Sequence, residues 1–181
     1  MRQNDLRVVA GLLRERNAID ARIAAITGRP MTAGHLGEWI AASIFNIRLE
    51  DSAASAALDG RFASGPLHGR TVNVKWYLKR DGLLDVTRSE ILDYYLVLTG
   101  PAGPAAHSRG TVRPWCLESV YLFDARHLLG ELRERGVKIG AATSVKSPQW
   151  VAAEIYPTPS NKALIVQPEQ RVLLQQFAPR P

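Results

Sequence analysis

The stretch Leu58-Asp59-Gly60, followed by Thr71-Val72-Asn73-Val74-Lys75-Trp76-Tyr77-Leu78, decides the fold. The second segment is β-branched and aromatic with a two-residue period. That period sets Val72, Val74, Trp76 and Leu78 on one face of a strand and Asn73, Lys75 and Tyr77 on the other. The breaker-rich Ser64-Gly65-Pro66-Leu67-His68-Gly69 between the two segments predicts the turn of a β-hairpin over residues 58–78. An acid thus enters the hairpin at Asp59, and an amide and an amine share one face of its second strand.

Upstream, Thr32 is a good helix N-cap, and Leu36, Ile40 and Ile44 recur at helical spacing to about residue 45. Glu38 sits off that stripe, beside Ala41, Ala42 and Phe45. A carboxylate flanked by apolar residues belongs to a packed helix, and Gly34 and Gly37 would let that helix approach a sheet closely. Before it, Leu6, Val9, Leu13, Ile19, Ile23 and Ile26 mark an amphipathic helix that stops near Gly28 and Pro30.

Downstream, strands are expected at 94–99 and 115–120, with a mobile loop at 100–110. A helix capped by Asp124 and ended by Gly136 should follow, then short strands around 150–155 and 163–166. A last helix over 169–177 should begin after Pro168. The expected fold is α/β: a mixed central sheet flanked by helices. The chain divides into an N-terminal helix (1–30), a core (31–136) and a C-terminal extension of strands and helix packing on it (137–181).

Composition sets the outer limits. The chain has 181 residues, 46 % of them hydrophobic and 22 % charged, so it can bury a core. It has no apolar run of membrane-spanning length and its first residues do not read as a signal peptide, so a cytoplasmic location is expected. Cys116 is the only cysteine, which excludes an internal disulfide and a cysteine-built zinc site. It reads as a small core residue, and Trp76 and Trp150 read as core aromatics. His35, His68, His107 and His127 are too scattered to form a ligand set, and no glycine-rich phosphate loop precedes a helix.

The formal net charge is +6, which favours an anionic partner. Arg61, Arg70, Lys75, Lys79 and Arg80 fall between residues 60 and 80 without an acid among them. Arg61, Arg70, Lys79 and Arg80 are candidate nucleic-acid contacts, with Tyr77 a candidate for stacking on bases. A solvated strand edge would use the same residue types.

Taken together, Gly37-Glu38-Trp39, Leu58-Asp59-Gly60 and Val72-Asn73-Val74-Lys75 resemble the PD-(D/E)XK nuclease superfamily of restriction and repair endonucleases. The segment Gly34-His35-Leu36-Gly37-Glu38 is also similar to the Gly-x-x-Gly-Glu helix of a bacterial group of restriction-endonuclease-like domains. The resemblance covers roughly residues 32–135. It implies a restriction-endonuclease-like core with catalytic residues Glu38, Asp59, Asn73 and Lys75. It implies a Mg²⁺ (or Mn²⁺) site in which Asp59 is the central ligand. Glu38, the backbone carbonyl of Val74 and Asn73 would complete that site. Such an ion polarises a phosphoryl oxygen and acidifies water, and Lys75 would orient the attacking water and offset transition-state charge. The chain departs from the family where Asn73 replaces the usual strand acid, which removes a full charge beside the metal. Asp81 and Asp85 follow closely and are candidates to compensate. The implied activity is metal-dependent hydrolysis of DNA, in restriction or defence, with RNA left open and a homodimer as the natural way to cut two strands. A DNA-binding member without catalysis, and a protein-interaction domain with incidental basic charge, are the alternatives.

Overall fold

The structure is a computed structural model that describes residues 3–50, 57–102 and 114–179. Its elements, in chain order, begin with helix α1 (Gln3–Thr27), helix α2 (Ala33–Phe45) and strands β1 (Ile47–Leu49), β2 (Gly60–Phe62) and β3 (Thr71–Tyr77). Strands β4 (Leu83–Leu84), β5 (Tyr94–Thr99) and β6 (Ser119–Asp124) follow, then helix α3 (Ala125–Glu134) and strand β7 (Thr143–Ser144). Helix α4 (Ser147–Ala153), strand β8 (Glu154–Tyr156) and helix α5 (Pro168–Gln175) end the chain. Six strands form one sheet in the order β1-β2-β3-β5-β6-β8, and β4 and β7 form a small second sheet. Among the strands of the described residues, β3 and β5 run parallel and the other neighbouring pairs are antiparallel. The fold is therefore mixed α/β, with helices on both faces of the main sheet.

Strand periodicity divides the core in two. Val72, Val74 and Trp76 of β3 join Leu96 and Leu98 of β5, and these pack against Ile40, Ala41 and Ile44 of α2 and Leu174 of α5. On the opposite face, Tyr95, Val97, Tyr121 and Phe123 pack against Leu128, Leu129 and Leu132 of α3 and Trp150 of α4. Tyr77 lies against this second core, so its strand neighbours Asn73 and Lys75 face the same way. Trp76, Trp150 and Cys116 are buried, as their apolar surroundings suggest.

Local signals explain most element ends. The hydroxyl of Thr32 accepts from the His35 N–H, and Asp124 caps α3 by accepting from the His127 N–H at 2.8 Å. Gly136 closes α3 with a left-handed φ of 64°. The α2–β3 contact depends on Gly37, where a Cβ would lie 2.8 Å from the Trp76 Cβ. Gly34 faces open space and plays no such part.

Several expectations need correction. The strand expected at 115–120 is β6, displaced to Ser119–Asp124. Residues 147–153 form α4 rather than a strand, because Pro148 occupies the first helical turn and favours helix initiation; the strand begins only at Glu154. Residues 163–166 form no strand, while Ile47–Leu49 does. The apolar stripe of α1 is largely uncovered: Leu6, Val9, Leu13, Ile19 and Ile26 are each at least half exposed. Residues 103–110 of the expected mobile loop lie outside the described residues. Among the described residues, no helix is long and apolar enough to cross a membrane.

Candidate functional site

Asp59 lies just before β2, yet its backbone continues the sheet on both sides. Its N–H donates to the Val72 carbonyl at 3.0 Å, and its own carbonyl accepts from the Glu50 N–H at 2.9 Å. Gly60 makes this close approach possible, since a Cβ there would stand 2.5 Å from the Arg48 carbonyl oxygen. With the backbone held, the Asp59 carboxylate reaches along the sheet and accepts the Val74 N–H at 2.7 Å. N–H and C=O of one strand residue point to the same edge, so the Val74 carbonyl is turned toward the Asp59 side as well.

Glu38 and Lys75 approach Asp59 from different layers. Glu38 is carried by α2, on the face of Val74 and Trp76, whereas Lys75 points to the opposite face. Both lie within electrostatic reach of Asp59, and so does Arg29. Burial is the main reason the Asp59 carboxyl has a pKa raised from its ordinary value. The Val74 N–H opposes that rise, the Glu38 charge adds to it, and Lys75 and Arg29 pull against it.

Arg29 was not singled out from the sequence. It follows Gly28 in the α1–α2 connection and forms an ion pair and hydrogen bond with the Glu38 carboxylate. The Glu38 side chain is only 19 % exposed. Nothing local in Gly28-Arg29-Pro30 signals this pairing. It arises because the connection returns α1 to the start of α2, which a one-dimensional pattern does not encode.

Asn73 is 2 % exposed. Its amide nitrogen donates to the Ala57 carbonyl at 3.2 Å, while its Oδ1, also buried, has no hydrogen-bond partner. The amide thus anchors the segment leading into Asp59 and leaves an oxygen lone pair unused. Asp85 does not stand in for the missing acid: it accepts from the Ala142 N–H at 2.8 Å, in the loop before β7.

These donors suit a hard cation of low ligand demand. Glu38 lies within electrostatic reach of Asp59, the Val74 carbonyl faces the Asp59 side, and Asn73, on the face of β3 opposite Glu38, keeps an unsatisfied oxygen. Among the described residues no cluster of three or more Asp, Glu, His or Cys side chains is present. A cation here would rest on two carboxylates and neutral oxygens. Mg²⁺, which commonly uses one or two carboxylates together with water and substrate phosphate, fits that set better than Ca²⁺ or Zn²⁺.

The remaining candidates are more engaged than a free basic strip would be. Arg61 faces Glu50 at 3.7 Å and donates to the Gly69 carbonyl. Arg70 pairs with Asp93 at 3.2 Å. The Arg80 guanidinium lies 6.0 Å from the centre of the Tyr121 ring. The Tyr77 hydroxyl accepts from the Asp85 N–H at 2.9 Å, and burial pushes its pKa up. Its ring is committed to the second core rather than open for stacking. Lys79 is half-buried at the end of this stretch.

No protein-family model matches the chain, and a search of curated proteins finds no match.

Proposed function

We propose that this protein is a Mg²⁺-dependent phosphodiester hydrolase acting on DNA, with Asp59 at the centre of its site. The observation that carries this reading is the setting of Asp59. Its carboxylate is pinned by the Val74 N–H, with Glu38 on one side and Lys75 on the other. Opposed acid and amine around a strand peptide are what a phosphoryl-transfer site requires. The acids hold a cation, and the amine meets the charge that builds on the phosphate.

Asp59, Glu38, the Val74 carbonyl and Asn73 Oδ1 would hold the ion. When bound, Mg²⁺ supplies Lewis-acid polarisation of a phosphoryl oxygen and acidifies water. The chain's own residues do the rest. The Val74 N–H fixes one oxygen of Asp59 and so orients the other. Asn73 holds the Ala57 carbonyl and keeps the approach to Asp59 rigid. Lys75 places the attacking water and offsets the negative charge of the transition state. Arg29 neutralises Glu38 and would have to yield it to a bound cation. A role in restriction or defence, cytoplasmic location and a dimeric assembly for double-strand cutting belong to the same reading.

A second reading, DNA binding without cleavage, is favoured by one feature: Asn73 lacks the charge that would strengthen cation binding. Incubation of supercoiled and linear DNA with the purified protein separates the two. Nicking that needs Mg²⁺ or Mn²⁺, stops with chelator and is absent in Asp59→Ala supports hydrolysis. Salt-sensitive binding with no cleavage under either ion favours the second reading. If neither is seen, an interaction domain with incidental charge is left.

A further inference from the structure

A cavity of about 580 Å³ opens between the β3–β5 crossover and α3, on the face to which Asn73 and Lys75 point. It is lined by Arg88, Ser89, Glu90, Arg126, Leu129 and Arg133. Three arginines and one glutamate thus line one space. Arg126 and Arg133 lie two helical turns apart on α3, and the Arg126 guanidinium is steadied by donating to the Glu90 backbone carbonyl at 3.2 Å. Among the described residues, none of the three arginines forms an ion pair with a carboxylate. This contrasts with Arg61 and Arg70, whose charges are met by Glu50 and Asp93. Three arginines against one glutamate leave this space with an excess of positive charge, which an anion would offset. Planar guanidinium forks beside a serine hydroxyl match the oxygens of a phosphate.

The cavity is tied to the candidate site through Asp93. The Asp93 carboxylate accepts from the Thr71 N–H at 2.9 Å and from Arg70, and its carbonyl accepts from the N–H of Ala125, the first residue of α3. The start of β3, two residues before Asn73, and the start of α3 are therefore one connected unit, with Arg70 exposed on it. We propose that the Arg88–Arg126–Arg133 cavity is a phosphate-binding site. It receives a backbone phosphate of the same DNA whose scissile bond lies at Asp59, beyond the Gly60–Arg80 stretch. The source of the phosphate rests on the function proposed above; the site itself rests on the cavity.

The test uses the full chain in chelator, so that binding is read without cleavage. Anisotropy of labelled duplex DNA is followed across a salt series for three proteins: the parent, Arg133→Gln and the triple variant Arg88→Gln/Arg126→Gln/Arg133→Gln. In parallel, thermal melting is followed with added inorganic phosphate. Each lost contact should flatten the slope of log affinity against log salt by about 0.9. Arg133→Gln, which breaks no hydrogen bond within the protein, should show one such step. Phosphate should raise the melting temperature of the parent and not of the triple variant. A triple variant with the parent's slope and the parent's phosphate response overturns the proposal, and the nuclease reading survives if the parent still cuts DNA. A parent that ignores DNA but loses its phosphate response in the triple variant upholds the site with free phosphate as its source. That outcome overturns the nucleic-acid reading instead.

Discussion

The Asp59 carboxylate accepts the Val74 N–H at 2.7 Å, so the central acid of the candidate site is also a structural clamp on β3. The two roles titrate together. Burial, ahead of the Glu38 charge, raises the Asp59 pKa above its ordinary value. A folded-state value above the unfolded one means that the folded chain holds this proton more tightly. Its contribution to stability is full below the ordinary carboxylate range and is lost as pH rises through the folded value. Asp59→Asn keeps an oxygen for Val74 and removes the charge. It should melt about 2–4 °C above the parent at pH 7, the shift that roughly 1 kcal/mol produces in a chain of this size. The advantage should shrink on acidification to about pH 4, near the ordinary carboxylate value. Cleavage should fall on the order of 10²-fold or more. A variant that melts below the parent at pH 7 would show that Lys75 and Arg29 outweigh burial.

On the proposed reading, Arg29 and a divalent cation would compete for the same Glu38 oxygens. Arg29→Gln frees Glu38 and removes a positive charge from the neighbourhood of Asp59. Mn²⁺ affinity, measured by calorimetry, should rise about 10-fold, in line with other changes beside metal ligands. Without metal the variant should lose about 1–2 kcal/mol of stability, because a mostly buried carboxylate is left without its charged partner. Unchanged or weaker Mn²⁺ binding would refute competition and assign Arg29 to holding Glu38 in place.

Gly37 and Gly34 make a matched pair on α2. Both Gly→Ala changes raise helix propensity by about 1 kcal/mol. At Gly34 the new methyl meets nothing within 4 Å, so Gly34→Ala should stabilise by up to that amount. At Gly37 it would stand 2.8 Å from the Trp76 Cβ, an atom fixed to the strand backbone. Overpacking of this kind costs about 1–3 kcal/mol, and it pushes α2, with Glu38 next in sequence, off the sheet. Urea unfolding should give opposite signs for the two variants, and only Gly37→Ala should lose cleavage. Equal stabilities would mean that α2 does not rest on Trp76.

Elements with strong local signals were legible in the sequence. The two-residue period of β3, the Thr32 and Asp124 caps and the Pro168 start of α5 lie where the residues indicate. What was not legible depends on contacts distant in sequence. Leu6 and Leu13 mark an apolar face on α1, but a periodic stripe does not say whether anything covers it. Trp150 and Ile155 suit a strand or a helix, and Pro148 decides for α4. The candidate residues Asp59, Glu38 and Lys75 were chosen by order and spacing, and the fold brings Glu38 and Lys75 within electrostatic reach of Asp59. The partner of Glu38 was missed because Arg29 belongs to a connection whose path is set by α1. The paired state of Arg61 and Arg70 was missed for the same reason, since Glu50 and Asp93 lie 11 and 23 residues away in sequence.

Asn73 offers the sharpest test of the site. Its amide is almost fully buried, donates to the Ala57 carbonyl and leaves Oδ1 unsatisfied. Asn73→Asp changes two things at once. It deletes the donor to Ala57, and it sets a second negative charge in a buried place near Asp59. Without metal, the new carboxyl must either stay protonated or remain as an unpaired buried charge. Either way, stability at pH 7 should fall by about 2–4 kcal/mol. A divalent ion reverses the balance, because the added carboxylate then becomes a ligand and its charge is met. The Asn73→Asp melting temperature should therefore rise much more steeply with Mn²⁺ than the parent's, following the ligand-linked gain of RT ln(1 + [L]/Kd). Cleavage should increase in the same metal range. Asn73→Ala controls for the lost Ala57 bond: it should be destabilised like Asn73→Asp but gain nothing from Mn²⁺. If Asn73→Asp shows no metal-dependent recovery beyond Asn73→Ala, then Oδ1 does not face a cation. Asn73 would then serve only to hold the chain before Asp59, and the ion would depend on Asp59, Glu38 and the Val74 carbonyl.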